Sequence, residues 1–176
     1  MQYGLTKNTI DRMKLKKVPN GTETDFRFIW EVNYANICGK KVLLIVHADT
    51  RYCMICTDIK PSVWRNLRDY IHELIDYVMR REGLSEEEVD RYFDLAGTEE
   101  ITKTHGRKAT GGMMHLTQYL NYYEKILVEG SMYQPLISDV ANRDIGKLVT
   151  HPELGYVEPR EFFLKVIREL LSEFDA

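Results

Sequence analysis

Cysteine and long apolar runs are both scarce in this chain. Its 176 residues include three cysteines and five prolines. No apolar stretch approaches the roughly 20 residues that a membrane-spanning helix needs. Residues 1–7 also lack the apolar region of a signal peptide. We therefore expect a cytoplasmic protein that makes no membrane contact.

The cysteines themselves do not suggest a metal or redox site. Cys53 and Cys56 have C-x-x-C spacing, but they fall in a segment typical of a β-strand. Residues i and i+3 of a strand point to opposite faces of the sheet, so these two thiols cannot readily share a metal or a disulfide. With no second Cys/His pair at zinc-ribbon spacing, we predict core thiols, Cys38 included, and no metal.

Charge of one sign is not in excess either. The chain carries 24 Lys and Arg against 27 Asp and Glu, a formal net charge of −3. Residues 1–19 form a basic segment, which could track phosphates or could simply be a solvated helix. No G-x-G-x-x-G, Walker or G-x-S-x-G motif is present. We therefore predict no dinucleotide or P-loop chemistry, and no cofactor.

The pattern of hydrophobic residues predicts one α+β domain over residues 1–176. Residues 26–34 alternate apolar and polar side chains, residues 42–46 are continuously apolar, and residues 52–57 return after a turn. These segments predict an antiparallel meander over residues 26–58. Residues 2–6 and 100–104 are weaker strand candidates. The meander is expected to pack against several helices.

Helical periodicity dominates after Pro61. We predict long helices at residues 62–82 and 108–129, a helix opened by a Ser85–Glu88 capping box, a short helix near 138–148 and a last helix from Pro159. Ten residues are predicted to be core: Trp30, Val42, Leu44, Val46, Leu67, Leu74, Leu116, Leu120, Ile167 and Leu170.

Residues 104–112 are unusually rich in donors, cations and glycine. The candidate ligand-binding residues are Thr104, Arg107, Lys108, Thr110, Gly111 and Gly112. At a predicted helix start, free N–H groups, an arginine and close-approach glycines would suit a phosphate or carboxylate. A structural explanation is equally open: Thr104 could cap the helix, the glycines could permit close packing, and Arg107 could pair with Asp49 or Glu100.

The chain resembles a family of small bacterial and phage proteins catalogued only as a domain of unknown function. The resemblance rests on Trp30-x-x-Asn33 in a strand, Asp49-Thr50 in a turn and Thr104-x-x-Arg107-x-x-x-Gly111-x-Met113 after the middle helices. Gly106, Lys108 and His115 stand where the usual Asn-Arg-Ser-x-x-Gly-Ser-Met-Asn signature has other residues. The resemblance implies a shared fold and a shared special site that includes Asp49 and Thr50, and no activity.

Whether the protein is an enzyme is left open by the sequence. His47 lies beside Asp49 and Thr50, and His105 lies within the signature. If these segments meet, His47 or His105 with Arg107 could cleave a phosphodiester without a metal.

Three functions remain, and we rank them in this order. The first is binding of a phosphate-bearing small molecule or a partner protein. The second is a small phosphodiesterase or RNase, with RNA as its ligand. The third is an antitoxin-like or phage accessory interaction module. The oligomeric state is not predicted.

Overall fold

The computed structural model describes residues 1–37, 39–148 and 150–174, with the side chain of Glu124 outside that description. Its larger sheet contains β1 (Gln2–Leu5), β2 (Ile29–Ile37), β3 (Lys40–His47), β4 (Cys53–Thr57) and β5 (Glu100–Lys103). The strand order is β4-β3-β2-β1-β5. The α+β fold class predicted from the sequence is thus confirmed.

The predicted meander is present, but the sheet is mixed. β2 pairs antiparallel with β3, and β3 pairs antiparallel with β4. β1 lies between β2 and β5 and is parallel to both. The meander also begins later than predicted, because residues Phe26–Phe28 form a 3-10 turn whose Arg27 N–H is capped by Asp25.

Helices cover both faces of this sheet. The helices are α1 (Lys7–Met13), α2 (Pro61–Arg65), α3 (Leu67–Arg81), α4 (Glu86–Ala96), α5 (Met113–Leu120), α6 (Pro135–Arg143) and α7 (Pro159–Glu173). A small hairpin pairs β6 (Gly146–Lys147) with β7 (Tyr156–Val157). In the described part of the chain, no helix has the length and apolar character to cross a bilayer.

The two faces have separate cores. On one, Trp30, Val32 and Ile45 pack against α3, α4 and α7, and we call this the α3 face. On the other, Val42 and Leu44 pack against α5 and α6, and we call this the α5 face. All ten residues predicted to be core are buried.

β4 separates its two cysteines between these faces. Cys53 belongs to the α5 core and Cys56 to the α3 core, and both are free thiols. Burial raises the pKa of each thiol to about 12. The predicted core role is confirmed for this pair, whereas Cys38 lies outside the described residues.

Three helix predictions were wrong in their boundaries. The helix predicted at 62–82 is divided at Asn66, whose φ of −124° and ψ of 42° are not helical. The helix near 138–148 begins earlier, at Pro135, and ends at Arg143.

The long helix predicted at 108–129 is only α5. Residues 107–112 are turns, because Gly112 takes a φ of +86° that a helix cannot contain. After Leu120 the chain tightens into a 3-10 segment, Asn121–Ile126, which is kinked at Tyr123.

Candidate functional site

A buried hydrogen-bonded pair, Glu31 and His105, lies beneath the signature loop, which we define as residues 104–112. Glu31 is completely buried and its Oε1 accepts hydrogen bonds from the backbone N–H of His105, at 2.8 Å, and from the ring Nδ1, at 3.0 Å. The His105 side chain is 3% exposed. The start of the loop is thereby fixed to the centre of the sheet.

Gln2 completes this network and fixes its proton arrangement. Its Oε1 accepts the N–H groups of Thr22 and Glu23 and lies 2.8 Å from His105 Nε2. Two N–H donors on Oε1 set the orientation of the amide, so His105 Nε2 must donate. The other ring nitrogen of His105, Nδ1, faces Glu31 Oε1, which also accepts the backbone N–H of His105. A hydrogen bond between Nδ1 and Glu31 Oε1 therefore needs a second proton.

Two glycines make room for these side chains. In the register of the sheet, Gly4 of β1 lies between Glu31 and Thr102. A Cβ at Gly4 would overlap the Glu31 carboxylate, and a Cβ at Gly21 would overlap the His105 ring. On either side of Gly4, Glu31 Oε2 and Thr102 Oγ1 are buried with no hydrogen-bond partner among the described residues.

The rest of the signature loop crosses the sheet toward the β3–β4 turn. Ala109 is buried against Ile29 and Ala48. The loop is closed on itself where Thr110 donates both its N–H and its hydroxyl to the Gly106 carbonyl. It ends at Gly112, which takes the N-cap position of α5 and supplies no side-chain cap. Thr104 is therefore not the cap of this helix.

The cations of the loop point away from the sheet. Arg107 and Lys108 are both exposed. Arg107 forms no ion pair with any described residue, and Lys108 Nζ lies 5.6 Å from the centre of the Phe26 ring. A third cation, Arg51, rests against the helix start, where a Cβ at Gly112 would be 2.9 Å from its Nε. Three cations thus lie on the signature loop or against its end at Gly112.

An open groove of about 710 Å³ runs between the signature loop, α5 and the end of β1. We call it the polar groove, because amide and hydroxyl side chains form most of its lining. These side chains belong to Thr6, Asn8, Asn33, Asn36, Thr104, Thr110, Thr117, Gln118 and Asn121. Lys7, Ala35, Met113 and Met114 complete it.

The other predicted site residues lie elsewhere. His47 is buried on the α3 face, where its Nδ1 accepts from the Thr50 hydroxyl and its Nε2 donates to the Arg27 carbonyl. Asp49 Oδ1 accepts from His151 Nε2 at 2.8 Å. The structure brings Thr104 and Thr110 together in the groove, but places His47 and His105 on opposite faces of the sheet.

Sequence reasoning did not assign Glu31, Gln2, Asn33 or Arg51 to the site, although Asn33 is part of the Trp30-x-x-Asn33 motif. The signal for Glu31 and Asn33 was the apolar Ile29 on the otherwise polar face of their strand. An apolar residue at that point is typical of a covered face, and here Ile29 packs against Ala48 and Ala109. Arg51 left no comparable signal.

Comparison with known proteins identifies the family. A family model described as Domain of unknown function (DUF6933) matches residues 2–162, which include every element from β1 to the beginning of α7. The chain belongs to DUF6933. The match contains the signature loop and all residues of the polar groove. No curated protein and no solved structure matches this DUF6933 chain.

Proposed function

We propose that this protein binds a small phosphate-bearing molecule, with the phosphate at the signature loop and the remainder of the ligand in the polar groove. One observation carries the proposal. Thr104 and Thr110 of the signature loop line a groove of small-molecule size, and Arg107, which lies between them in the sequence, is exposed and has no acidic partner among the described residues. Ligand sites of small molecules have volumes of about 300–1,000 Å³.

The chemistry of the loop suits an oxyanion. Arg107 can hold two phosphate oxygens through its planar guanidinium. Lys108, its neighbour in the sequence, and Arg51, which lies against Gly112, add positive charge to the same loop. In the first turn of α5, the Met113 N–H bonds to the Thr110 carbonyl, whereas the N–H groups of Met114 and His115 have no partner among the described residues and remain available as donors. Electrostatic attraction and hydrogen bonding therefore favour the same type of ligand.

The geometry favours binding over acid–base catalysis. Both ring nitrogens of His47 are hydrogen-bonded, and the ring is completely buried. Both ring nitrogens of His105 are engaged by Glu31 and Gln2. A general base must reach the proton that it removes. Neither ring has a nitrogen directed toward the groove.

Arg107→Ala tests the proposal by isothermal titration calorimetry with inorganic phosphate and ribose 5-phosphate. A charge-assisted contact contributes about 1.5–3 kcal/mol, so we expect affinity to fall roughly 10-fold to 150-fold. Arg107→Lys should restore little, because an ammonium lacks the two-point contact. Stability should change by less than about 1 kcal/mol, since the side chain is exposed.

Arg65→Ala is the matched control. Arg65 is an exposed arginine at the end of α2, a helix remote in sequence from the loop, and its removal changes the net charge by the same amount. It should leave both affinities unchanged. The proposal is overturned if neither probe binds, or if Arg107→Ala and Arg65→Ala weaken binding equally.

A further inference from the structure

We infer that the polar groove binds the nucleoside part of a nucleotide. The inference rests on the proposed function, because it names the chemical group that accompanies the phosphate. The ligand class would be a mononucleotide, with its phosphate at Arg107 and its base and sugar between Asn33 and α5.

The groove lining is polar but almost uncharged. Its single cation is Lys7, and Lys7 Nζ is already paired with Asp11 Oδ2 at 2.7 Å. An anion inside the groove would therefore find little charge to balance it, and a wholly apolar ligand would cover the amides of Asn8, Asn36 and Gln118 without offering them a hydrogen bond. A neutral group with several donors and acceptors fits best. Nucleobases and ribose hydroxyls have that character.

Asn33 provides the main point of recognition on the floor of the groove. It is half-buried on β2, the middle strand of the sheet, where an unpaired amide is costly. One end of its amide lies 2.8 Å from the Thr6 hydroxyl and is engaged within the protein. The other end has no hydrogen-bond partner among the described residues and remains for a polar group of the ligand. Asparagine and glutamine amides commonly pair with the edges of bases.

The walls of the groove provide a second amide and a surface for a ring. Gln118 is an exposed residue of α5, four residues after Met114 and thus on the same side of the helix. Met114 is 73% exposed although it is apolar. Thioether sulfur makes favourable contacts with aromatic rings. A base lying between Met114 and Asn33 would cover the thioether and reach both amides.

Calorimetric titration with three classes of probe tests this inference. The probes are ribose 5-phosphate, the four ribonucleosides and their 5′-monophosphates. We expect at least one monophosphate to bind 10-fold or more tightly than ribose 5-phosphate. Asn33→Ala should reduce that preference about 10-fold and leave ribose 5-phosphate affinity unchanged.

Two further variants at exposed positions, where a substitution should not disturb folding, serve as a second test and a control. Gln118→Ala alters an exposed side chain and should also reduce the preference for a base. Asn20→Ala removes an exposed amide that contacts Lys103, outside the groove, and should have no effect on binding. Far-UV circular dichroism confirms that each variant is folded before titration.

The outcomes separate this inference from the proposed function. If ribose 5-phosphate and all monophosphates bind equally, the nucleoside site is overturned and phosphate binding stands. If nucleosides bind as tightly as their monophosphates and Arg107→Ala changes nothing, the nucleoside site stands and phosphate binding is overturned. If no probe binds, both are overturned.

Discussion

At the scale of single residues, Glu31 and His105 form a buried hydrogen-bonded pair beneath the signature loop. Leaving a buried hydrogen-bonding group without its partner typically costs about 1–3 kcal/mol. We expect Glu31→Ala to destabilise the fold by about that amount in urea denaturation. His105→Ala should have a comparable effect, since Glu31 would lose its only side-chain partner among the described residues.

The double variant distinguishes pairing from mere packing. Glu31→Leu combined with His105→Leu removes both polar groups together. It should destabilise the protein much less than the sum of the two single leucine variants, by a coupling energy of about 0.5–3 kcal/mol. Strictly additive effects would contradict the pairing described here.

His47 makes stability depend on pH. Burial lowers its pKa, so the folded protein resists protonating a ring that the unfolded chain protonates near pH 6.5. Below that pH the unfolded state binds more protons, so the free energy of unfolding falls by up to about 1.4 kcal/mol per pH unit. Above it the contribution is fully present.

His47→Gln isolates this effect. We expect the variant to be less stable than the wild type at pH 8, because its hydrogen bonds and ring packing are altered. Its free energy of unfolding should decline less steeply than that of the wild type between pH 6.5 and 5. Equal slopes measured by urea titration across that range would show that another group governs the acid response.

The sequence predicted which residues of the site are special better than it predicted their roles. Thr104 and Thr110 do line the groove. The histidines, chosen for their chemistry, are instead held in hydrogen-bond networks on opposite faces. Whether a nitrogen is accessible depends on neighbours such as Gln2 and Arg27, which are distant in the chain and give no local pattern.

At the scale of elements, the sequence predicted a helix boundary correctly where the residues that end the helix lie next to it in the chain. The Ser85–Glu88 capping box is present at the start of α4 as predicted, with hydrogen bonds in both directions. Gly83 and Gly97 border that helix and take positive φ values. Each end of α4 is therefore determined by residues within a few positions of that end.

Ser85→Ala measures the contribution of this cap. Loss of a capping hydroxyl typically costs about 1 kcal/mol, and up to about 2 kcal/mol in proteins. We expect the midpoint of urea denaturation to fall accordingly while the m-value stays constant. Ser62→Ala is a suitable control, because Ser62 is exposed in the first turn of α2 and is not its N-cap. An effect of Ser85→Ala no larger than that of Ser62→Ala would contradict the role of the cap.

The prediction for α5 failed because the helical spacing of apolar residues continues on the N-terminal side of Gly112, where the helix itself stops. Met113, Leu116 and Leu120 are buried as a helical stripe should be. The preceding residues fit the same spacing, yet Ala109 packs under the loop against Ile29 and Ala48 rather than on a helix. Tertiary contacts thus override the local preference for helix at this point.

At the scale of the whole molecule, sequence patterns established the class of fold and much of the core. They did not establish the connection of β1, which contributes Gln2 and Gly4 to the site. A four-residue strand whose partners are Ile29–Val32 and Glu100–Lys103 has no local pattern that specifies parallel pairing. Ile29 on the polar side of β2 is a local sign that this side is covered, but it does not tell which segment covers it.

The position of β1 between two strands from later in the chain has a consequence for the order of assembly. β2, β3 and β4 can join hairpin by hairpin, because each pairs with its neighbour in sequence. β1 must wait for β2 and then for β5, and each parallel pairing closes a long loop at an entropic cost. The signature loop follows β5 directly, so we expect its cations to take their places only after β5 has paired with β1. The ligand site proposed above would then exist only in chains whose sheet is complete.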